Sequence, residues 1–227
     1  MKTDLTGKTI VLTGAFGRLG RILTRRLLAD GATVAGLDAR AADPVVDSDR
    51  LHLFKADLAD EVSVTEAFAD VERAVGAADG LVHTVGMWSG KPFAETSLEE
   101  WETMLRVNLT SAFLCFRAAV RQMQASGTES GRLVAIASKQ GADRGVAEQA
   151  AYSASKAGVV RLVESVAAEY AGTGITAAAV APSTILFEGG GDGVPAEQVA
   201  ALCAYLCTDE GAAHNGSVLR TFGSAVS

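Results

Sequence analysis

A short β-rich run, Thr9–Thr13, leads into Thr13-Gly14-Ala15-Phe16-Gly17-Arg18-Leu19-Gly20, and an amphipathic helical pattern begins at Arg18. A glycine-rich string between a strand and a helix permits a tight turn and close backbone approach to a pyrophosphate. The helix N-terminus adds free N–H groups and a favourable dipole. Gly14, Phe16, Gly17, Arg18, Leu19 and Gly20 are therefore candidate cofactor-binding residues. The plain alternative is an ordinary strand-to-helix turn.

The same alternation continues along the chain. Strands are expected at Thr9–Thr13, Thr33–Leu37, Leu51–Lys55, Gly80–Thr84, Arg132–Ala137, Thr176–Ala181 and Ser217–Arg220. Helices are expected at Arg18–Asp30, Val62–Val75, Leu98–Leu109, Ser111–Ala125, Ala150–Ala171 and Ala196–Leu206. Several strands are near-continuous apolar runs, which suits a parallel sheet covered on both faces. The fold class is α/β, a doubly wound parallel sheet of about seven strands. With no repeat or linker, residues 1–227 read as one domain. Residues 41–50 are polar and read as a surface loop, and Glu188–Gly193, with four glycines, as a locally flexible stretch.

Length and composition bound the function. The 227 residues, 48% of them hydrophobic, supply a substantial core. The net charge of −7 argues against a nucleic-acid partner. Cys115, Cys203 and Cys207 form no disulfide or zinc pattern, so a reducing, cytoplasmic setting is expected, with Cys203 and Cys207 as core packing. His52, His83 and His214 are too scattered for a metal centre. No apolar run approaches the roughly 20 residues of a membrane span, and the N-terminus lacks the apolar core of a signal peptide.

Two further features carry chemistry. Asp38 ends the second strand, 18 positions after Gly20, where a carboxylate can accept hydrogen bonds from an adenosine ribose and would repel a 2′-phosphate. NAD is favoured over NADP on that ground. The guanidinium of Arg18 or Arg40 could offset it. Tyr152 and Lys156 stand four residues apart, on one face of a helix. An ammonium beside a phenol lowers its pKa and makes a proton donor or acceptor suited to carbonyl reduction or alcohol oxidation.

Together these strings resemble the short-chain dehydrogenase/reductase family over nearly the whole chain. Gly7-Lys8-Thr9-Ile10-Val11-Leu12-Thr13-Gly14, Ala56-Asp57-Leu58, Val107-Asn108-Leu109, Gly131–Ser138 and the Tyr152/Lys156 pair carry the likeness, with Leu206-Cys207-Thr208-Asp209 and Gly216-Ser217 near the C-terminus. The resemblance implies a mechanism. Ser138 donates to the substrate oxygen and Tyr152 exchanges a proton with it. Lys156 holds the nicotinamide ribose and depresses the Tyr152 pKa, and Asn108 holds a water linking Lys156 to solvent. It also implies Asp57 and Leu58 at the adenine, and Gly86, Pro182, Thr184 and Ile185 along the nicotinamide half.

The chain departs from the family pattern at several points. The middle glycine falls at Gly17, leaving Arg18 where a glycine is usual, and His83 replaces a structural asparagine. Phe187 occupies the position of a cofactor-binding threonine. The substrate loop, at about 183–195, is short for the family, so the pocket is expected to be open or closed by another subunit. Trp88 and Phe93, with Phe187, are expected to border an apolar or aromatic carbonyl or alcohol substrate; packing is the alternative for Trp88. Trp101 reads as packing. Family members are usually dimers or tetramers, and the apolar residues Phe113, Phe116, Val159, Val160, Val163 and Val166 suggest a homotetramer through two helices. The leading reading is an NAD(P)-dependent oxidoreductase. Its rivals are a catalytically weak dinucleotide-binding sensor or scaffold, and an epimerase or dehydratase.

Overall fold

A computed structural model describes residues 3–40, 44 and 46–223. The first strand, β1 (Thr9–Thr13), is buried at all five positions. It pairs in parallel with β2 (Thr33–Asp38) on one side and β4 (Gly80–His83) on the other, with Thr13 opposite both Leu37 and His83. Adding β3 (Leu51–Lys55), β5 (Arg132–Ile136), β6 (Thr176–Pro182) and β9 (Val218–Thr221) gives a seven-stranded sheet in the order β3-β2-β1-β4-β5-β6-β9, parallel throughout. The strand order reverses between β1 and β4, and such a reversal leaves a crevice at the carboxyl ends of the strands.

Helices cover both faces, which is why the central strands show no polar alternation. On one face α1 (Arg18–Ala29) and α7 (Ala196–Leu206) bury Leu19, Leu23, Leu27, Val199 and Cys203 against Ile10, Leu12, Val34 and Val180. On the other, α2 (Glu61–Val75), α4 (Ser111–Ser126) and α6 (Ala150–Glu169) bury Phe68, Phe116, Met123, Val159 and Val163 against Val11, Leu37, Leu81 and Leu133. The three cysteines are buried packing residues. Among the described residues there is no cluster of metal-ligating side chains and no helix long and apolar enough to cross a membrane.

The structure departs from the sequence reading in four places. The helix expected at Leu98–Leu109 is α3 (Leu98–Leu105), started by a capping box between Ser97 and Glu100, and a π-helical turn (Arg106–Thr110) then runs directly into α4. A short helix, α5 (Lys139–Ala142), follows β5 where no element was expected. The 183–195 loop carries a two-stranded ribbon, β7 (Ile185–Leu186) with β8 (Val194–Pro195). Finally, Phe116, Val159, Val160 and Val163 are consumed by this chain's own core, leaving only Phe113 of the proposed interface set well exposed, its ring beneath the Arg117 guanidinium. Of the surface loop at 41–50, positions 41–43 and 45 lie outside the described residues.

Candidate active site

The turn after β1 is held from two sides. Gly14 has φ +70°, and the Gly14 and Ala15 N–H groups donate to the Leu37 carbonyl. Gly20 packs so closely that a Cβ there would lie 2.0 Å from the Gly14 carbonyl oxygen. Gly17 caps α1 with no side-chain hydrogen bond, and no acidic residue stands in the first turn, so the first-turn N–H groups and the dipole are left without a side-chain partner.

Asp38 is 6% exposed. Its Oδ2 accepts from the Phe16 N–H at 3.0 Å and from Arg40 Nη2 at 3.3 Å; its Oδ1 accepts from Arg40 N and Nε, both at 3.1 Å. Burial alone would raise the carboxyl, but these donors outweigh it and hold the group below its ordinary value. Asp38 and Arg40 edge a pocket of about 280 Å³ with Gly14, Asp57, Leu58, Gly86 and Arg106.

Across Gly86 lies a larger cleft of about 660 Å³. Lys156 and Tyr152 reach it from α6, Ser138 from the end of β5, Pro182, Thr184, Ile185 and Phe187 from β6 and the short loop, and Leu19, Met87 and Trp88 from the other side. Ser138 caps α5, its Oγ accepting from the Gly141 N–H at 3.2 Å, and its hydroxyl lies near enough to the Tyr152 phenol to lower its pKa. A Cβ on Gly141 would lie 2.5 Å from the Lys156 carbonyl carbon, so α5 seats directly on α6.

The expected depression of Tyr152 by Lys156 does not hold. Burial keeps the phenol above its ordinary value, with the Ser138 hydroxyl a smaller opposing effect. Lys156 Nζ donates to the Ile136 carbonyl at 2.8 Å, and its own pKa is brought down to about 8 by burial.

Asn108 is fully buried in the π turn. Its Oδ1 accepts from Met87 N–H at 2.7 Å, and its Nδ2 donates to the Met87 carbonyl at 3.0 Å and to Ser155 Oγ at 2.9 Å. The carboxamide thus pairs with both backbone groups of Met87. Lys156 Nζ and Asn108 Oδ1 converge on Gly86: a Cβ there would meet them at 3.0 and 3.2 Å.

His83 is a structural cross-link. Its Nδ1 lies 3.0 Å from Thr13 Oγ1 and its Nε2 3.2 Å from Ser111 Oγ. Ser111 spends its proton on the Val107 carbonyl at 2.6 Å, so it accepts from His83 Nε2, while Thr13, which accepts from the Thr84 N–H, has its hydroxyl proton left for Nδ1; the arrangement suits the neutral ring protonated on Nε2. Burial, then the Lys156 charge, push its pKa to about 3.

Of the expected substrate contacts, Trp88 lines the cleft, 62% exposed, its Nε1 donating to Gln149 Oε1 at 3.3 Å, and Phe187 lines it as well. Phe93 does not: it sits 78% exposed on the 3-10 turn Phe93–Glu95, outside the cleft. Met87, Lys139 and Gln140 line the cleft and were not singled out from sequence. Only their placement beside Gly86 and Ser138 could have marked them.

The site fits a dinucleotide. A bare helix N-terminus, an ionised buried acid and a glycine closely approached by Lys156 and Asn108 lie along two adjoining pockets. Comparison with known proteins agrees. The short chain dehydrogenase family model matches residues 8–190. The chain is 35% identical to a short-chain dehydrogenase/reductase of Hericium erinaceus, covering 77% of this chain and 73% of the relative. It is 31% identical to a D-threitol dehydrogenase of Mycolicibacterium smegmatis, covering 95% and 91%. A crystal structure of a short chain dehydrogenase from Mycobacterium smegmatis superposes with a TM-score of 0.87 at 30% identity, covering 97% of this chain and 95% of that one. Sheet order, glycine turn and paired pockets thus agree with sequence kinship, and the chain belongs to the short-chain dehydrogenase/reductase family, as a nicotinamide-dependent oxidoreductase acting on alcohol and keto groups.

Proposed function

We propose that this enzyme interconverts a secondary alcohol and its ketone on an apolar or aromatic substrate, with NAD as the preferred cofactor. The observation that carries the reading is the meeting of Ser138, Tyr152 and Lys156 in one cleft that continues past Gly86 into a pocket edged by Asp38.

The bound nicotinamide supplies or accepts the hydride. The chain's own residues do the rest. Ser138 Oγ holds the substrate oxygen, already aligned by its cap on α5 and facing the Tyr152 phenol in the same cleft. In the reductive direction the Tyr152 phenol gives its proton to that oxygen; in the oxidative direction it takes one back. Lys156 spends one of its three donors on Ile136 and keeps the others for the nicotinamide-side ribose. Asn108 positions the Gly86–Met87 backbone rather than spending its carboxamide on solvent. The glycine turn and first turn of α1 hold the diphosphate. Leu19, Met87, Trp88, Ile185 and Phe187 give the cleft apolar walls, which supports an apolar substrate.

The preference for NAD rests on Asp38, ionised and fixed by the Phe16 N–H. Homo-oligomerisation rests on family habit and the exposed Phe113; light scattering that finds a monomer at micromolar concentration overturns it. The functional test is oxidation of NADH and NADPH, followed by absorbance, with a panel of ketones and quinones. Turnover that is lost in Tyr152→Phe while NADH still binds supports the proposal. Binding without turnover across the panel selects the sensor reading, which the short loop and Phe187 favour.

A further inference from the structure

Two of the departures in this sequence meet in space. Arg18, the first residue of α1, stacks its guanidinium over the Phe187 ring, 4.1 Å from the centroid. Phe187 lines the large cleft and packs partly against the core on the α1–α7 face. We propose that the pair works as one device: the Phe187 ring holds the Arg18 guanidinium at the N-terminus of α1, where it contacts the diphosphate of the bound dinucleotide and ties the short loop down over it. Phe187 is then a positioning residue and Arg18 a ligand. The inference rests on the dinucleotide reading above.

Three observations carry it. First, Arg18 is an uncommitted cation beside the glycine turn, unlike two others near it. Arg21 Nε donates to the Phe16 carbonyl at 3.2 Å, and Arg40 is tied to Asp38. Among the described residues no carboxylate lies within ion-pair distance of Arg18, and the Phe187 ring is the partner it packs on. Second, a guanidinium stacked on an aromatic face keeps its N–H edge in the plane, free for bidentate contact with a phosphate. Third, the tip of the loop has little else to hold it, with open space around Gly189 and Gly190. Its ribbon has two residue pairs, Ile185 with Val194 and Leu186 with Pro195, and between the strands run Gly189, Gly190, Gly191 and Gly193. Phe187 cannot donate a hydrogen bond to the cofactor; Arg18, held by its ring, can.

The test is calorimetric titration of the full chain with ADP-ribose, and with adenosine as the control that lacks phosphate. Arg18→Ala should weaken ADP-ribose binding by about tenfold and leave adenosine within about twofold, with Arg18→Lys between, because charge survives but bidentate geometry does not. Phe187→Ala should weaken ADP-ribose by about threefold to fivefold, and Phe187→Trp should restore it. The double variant should bind no more weakly than Arg18→Ala alone, the mark of two groups acting through one contact. In steady state, Arg18→Ala should raise the NADH KM and leave kcat within about twofold, as loss of uniform binding requires. Unchanged ADP-ribose affinity in Arg18→Ala, a parallel loss of adenosine, or independent losses that multiply in the double variant overturns the proposal while leaving the dinucleotide site standing. Failure of the wild-type chain to bind ADP-ribose or NADH at all removes the dinucleotide reading and this inference with it.

Discussion

Lys156 Nζ donates to the carbonyl of Ile136, 2.8 Å away, on the strand whose end delivers Ser138. The bond fixes the ammonium in the wall of the cleft, 4% exposed. Burial lowers its pKa from 10.5 to about 8. A group depressed in this way contributes stability that is full above its unfolded pKa and is lost as pH falls through the folded value.

Lys156→Met removes that dependence. Between pH 8 and pH 10 the wild-type protein should gain on the order of 2 kcal/mol relative to the variant, since each tenfold loss of proton affinity on folding is worth about 1.4 kcal/mol. Urea unfolding midpoints at several pH values measure the difference. Parallel curves for the two proteins would show that the ammonium is not desolvated.

Tyr152 leads to an opposite kind of pH effect, in rate rather than stability. Burial raises its phenol, so the protonated form dominates across neutral pH. Reduction, which needs the acid, should be flat through neutrality and fall only in strong alkali; alcohol oxidation, which needs the base, should climb steadily with pH. Tyr152→Phe should lower kcat by at least about 100-fold in both directions, the lower range for a positioned acid–base group, with NADH affinity nearly unchanged. Substantial residual turnover would assign the proton to another donor.

The proposed preference for NAD turns on the Asp38–Arg40 pair. Arg40 offers a guanidinium to a 2′-phosphate and also neutralises the acid that would repel one. Arg40→Ala should therefore weaken NADPH more than NADH, raising discrimination by about tenfold, the worth of one charge-assisted hydrogen bond. Asp38→Ala should do the reverse. Equal losses for both cofactors in Arg40→Ala would place the guanidinium away from the 2′ position.

Much of this was legible in the sequence, and for identifiable reasons. The strands from Thr9 to Thr13 and from Leu51 to Lys55, and the helix from Ala196 to Leu206, fall where the apolar patterns place them, because turns or polar segments bound each run on both sides. Tyr152 and Lys156 stand out by residue type and spacing, and Asn108 and Ser138 follow from the resemblance to the family. Their partners do not. The Ile136 carbonyl and the Met87 backbone are main-chain groups that carry no side-chain signal, and they decide what Lys156 and Asn108 do. The π turn at Arg106–Thr110 leaves no mark on a helical pattern, yet it holds the carboxamide that pairs with Met87. Phe116 and Val163 looked surplus to one helix stripe because the helices of that face pack on one another as well as on the sheet.

His83 gives an acid-side prediction. Neutral in the fold with a pKa of about 3, it regains its ordinary 6.5 on unfolding, so its contribution is complete above pH 6.5 and declines as pH falls toward 3. His83→Asn should flatten the acid limb, with the wild type losing about 2 kcal/mol more than the variant between pH 7 and pH 5. Chemical denaturation at the two pH values measures it. Identical losses in both proteins would mean that the imidazole takes a proton inside the fold.

Two glycines of the site separate crowding of catalytic groups from collision with backbone. At Gly20 an added Cβ would stand 2.0 Å from the Gly14 carbonyl oxygen, where only a shift of the whole turn relieves the clash. Gly20→Ala should therefore lower stability by roughly 1–3 kcal/mol, the cost of overpacking a well-packed site. At Gly86 the Cβ would meet Lys156 Nζ at 3.0 Å and Asn108 Oδ1 at 3.2 Å, and the ends of these side chains can yield by a few tenths of an ångström. Gly86→Ala should keep its unfolding midpoint within about 1 kcal/mol of wild type, yet lose at least about tenfold in kcat, because displacing a positioned group by a fraction of an ångström degrades its geometry. Melting curves and steady-state rates on the two variants distinguish the cases. A Gly86→Ala enzyme with full turnover would show that the convergence of Lys156 and Asn108 on Gly86 is packing without catalytic consequence.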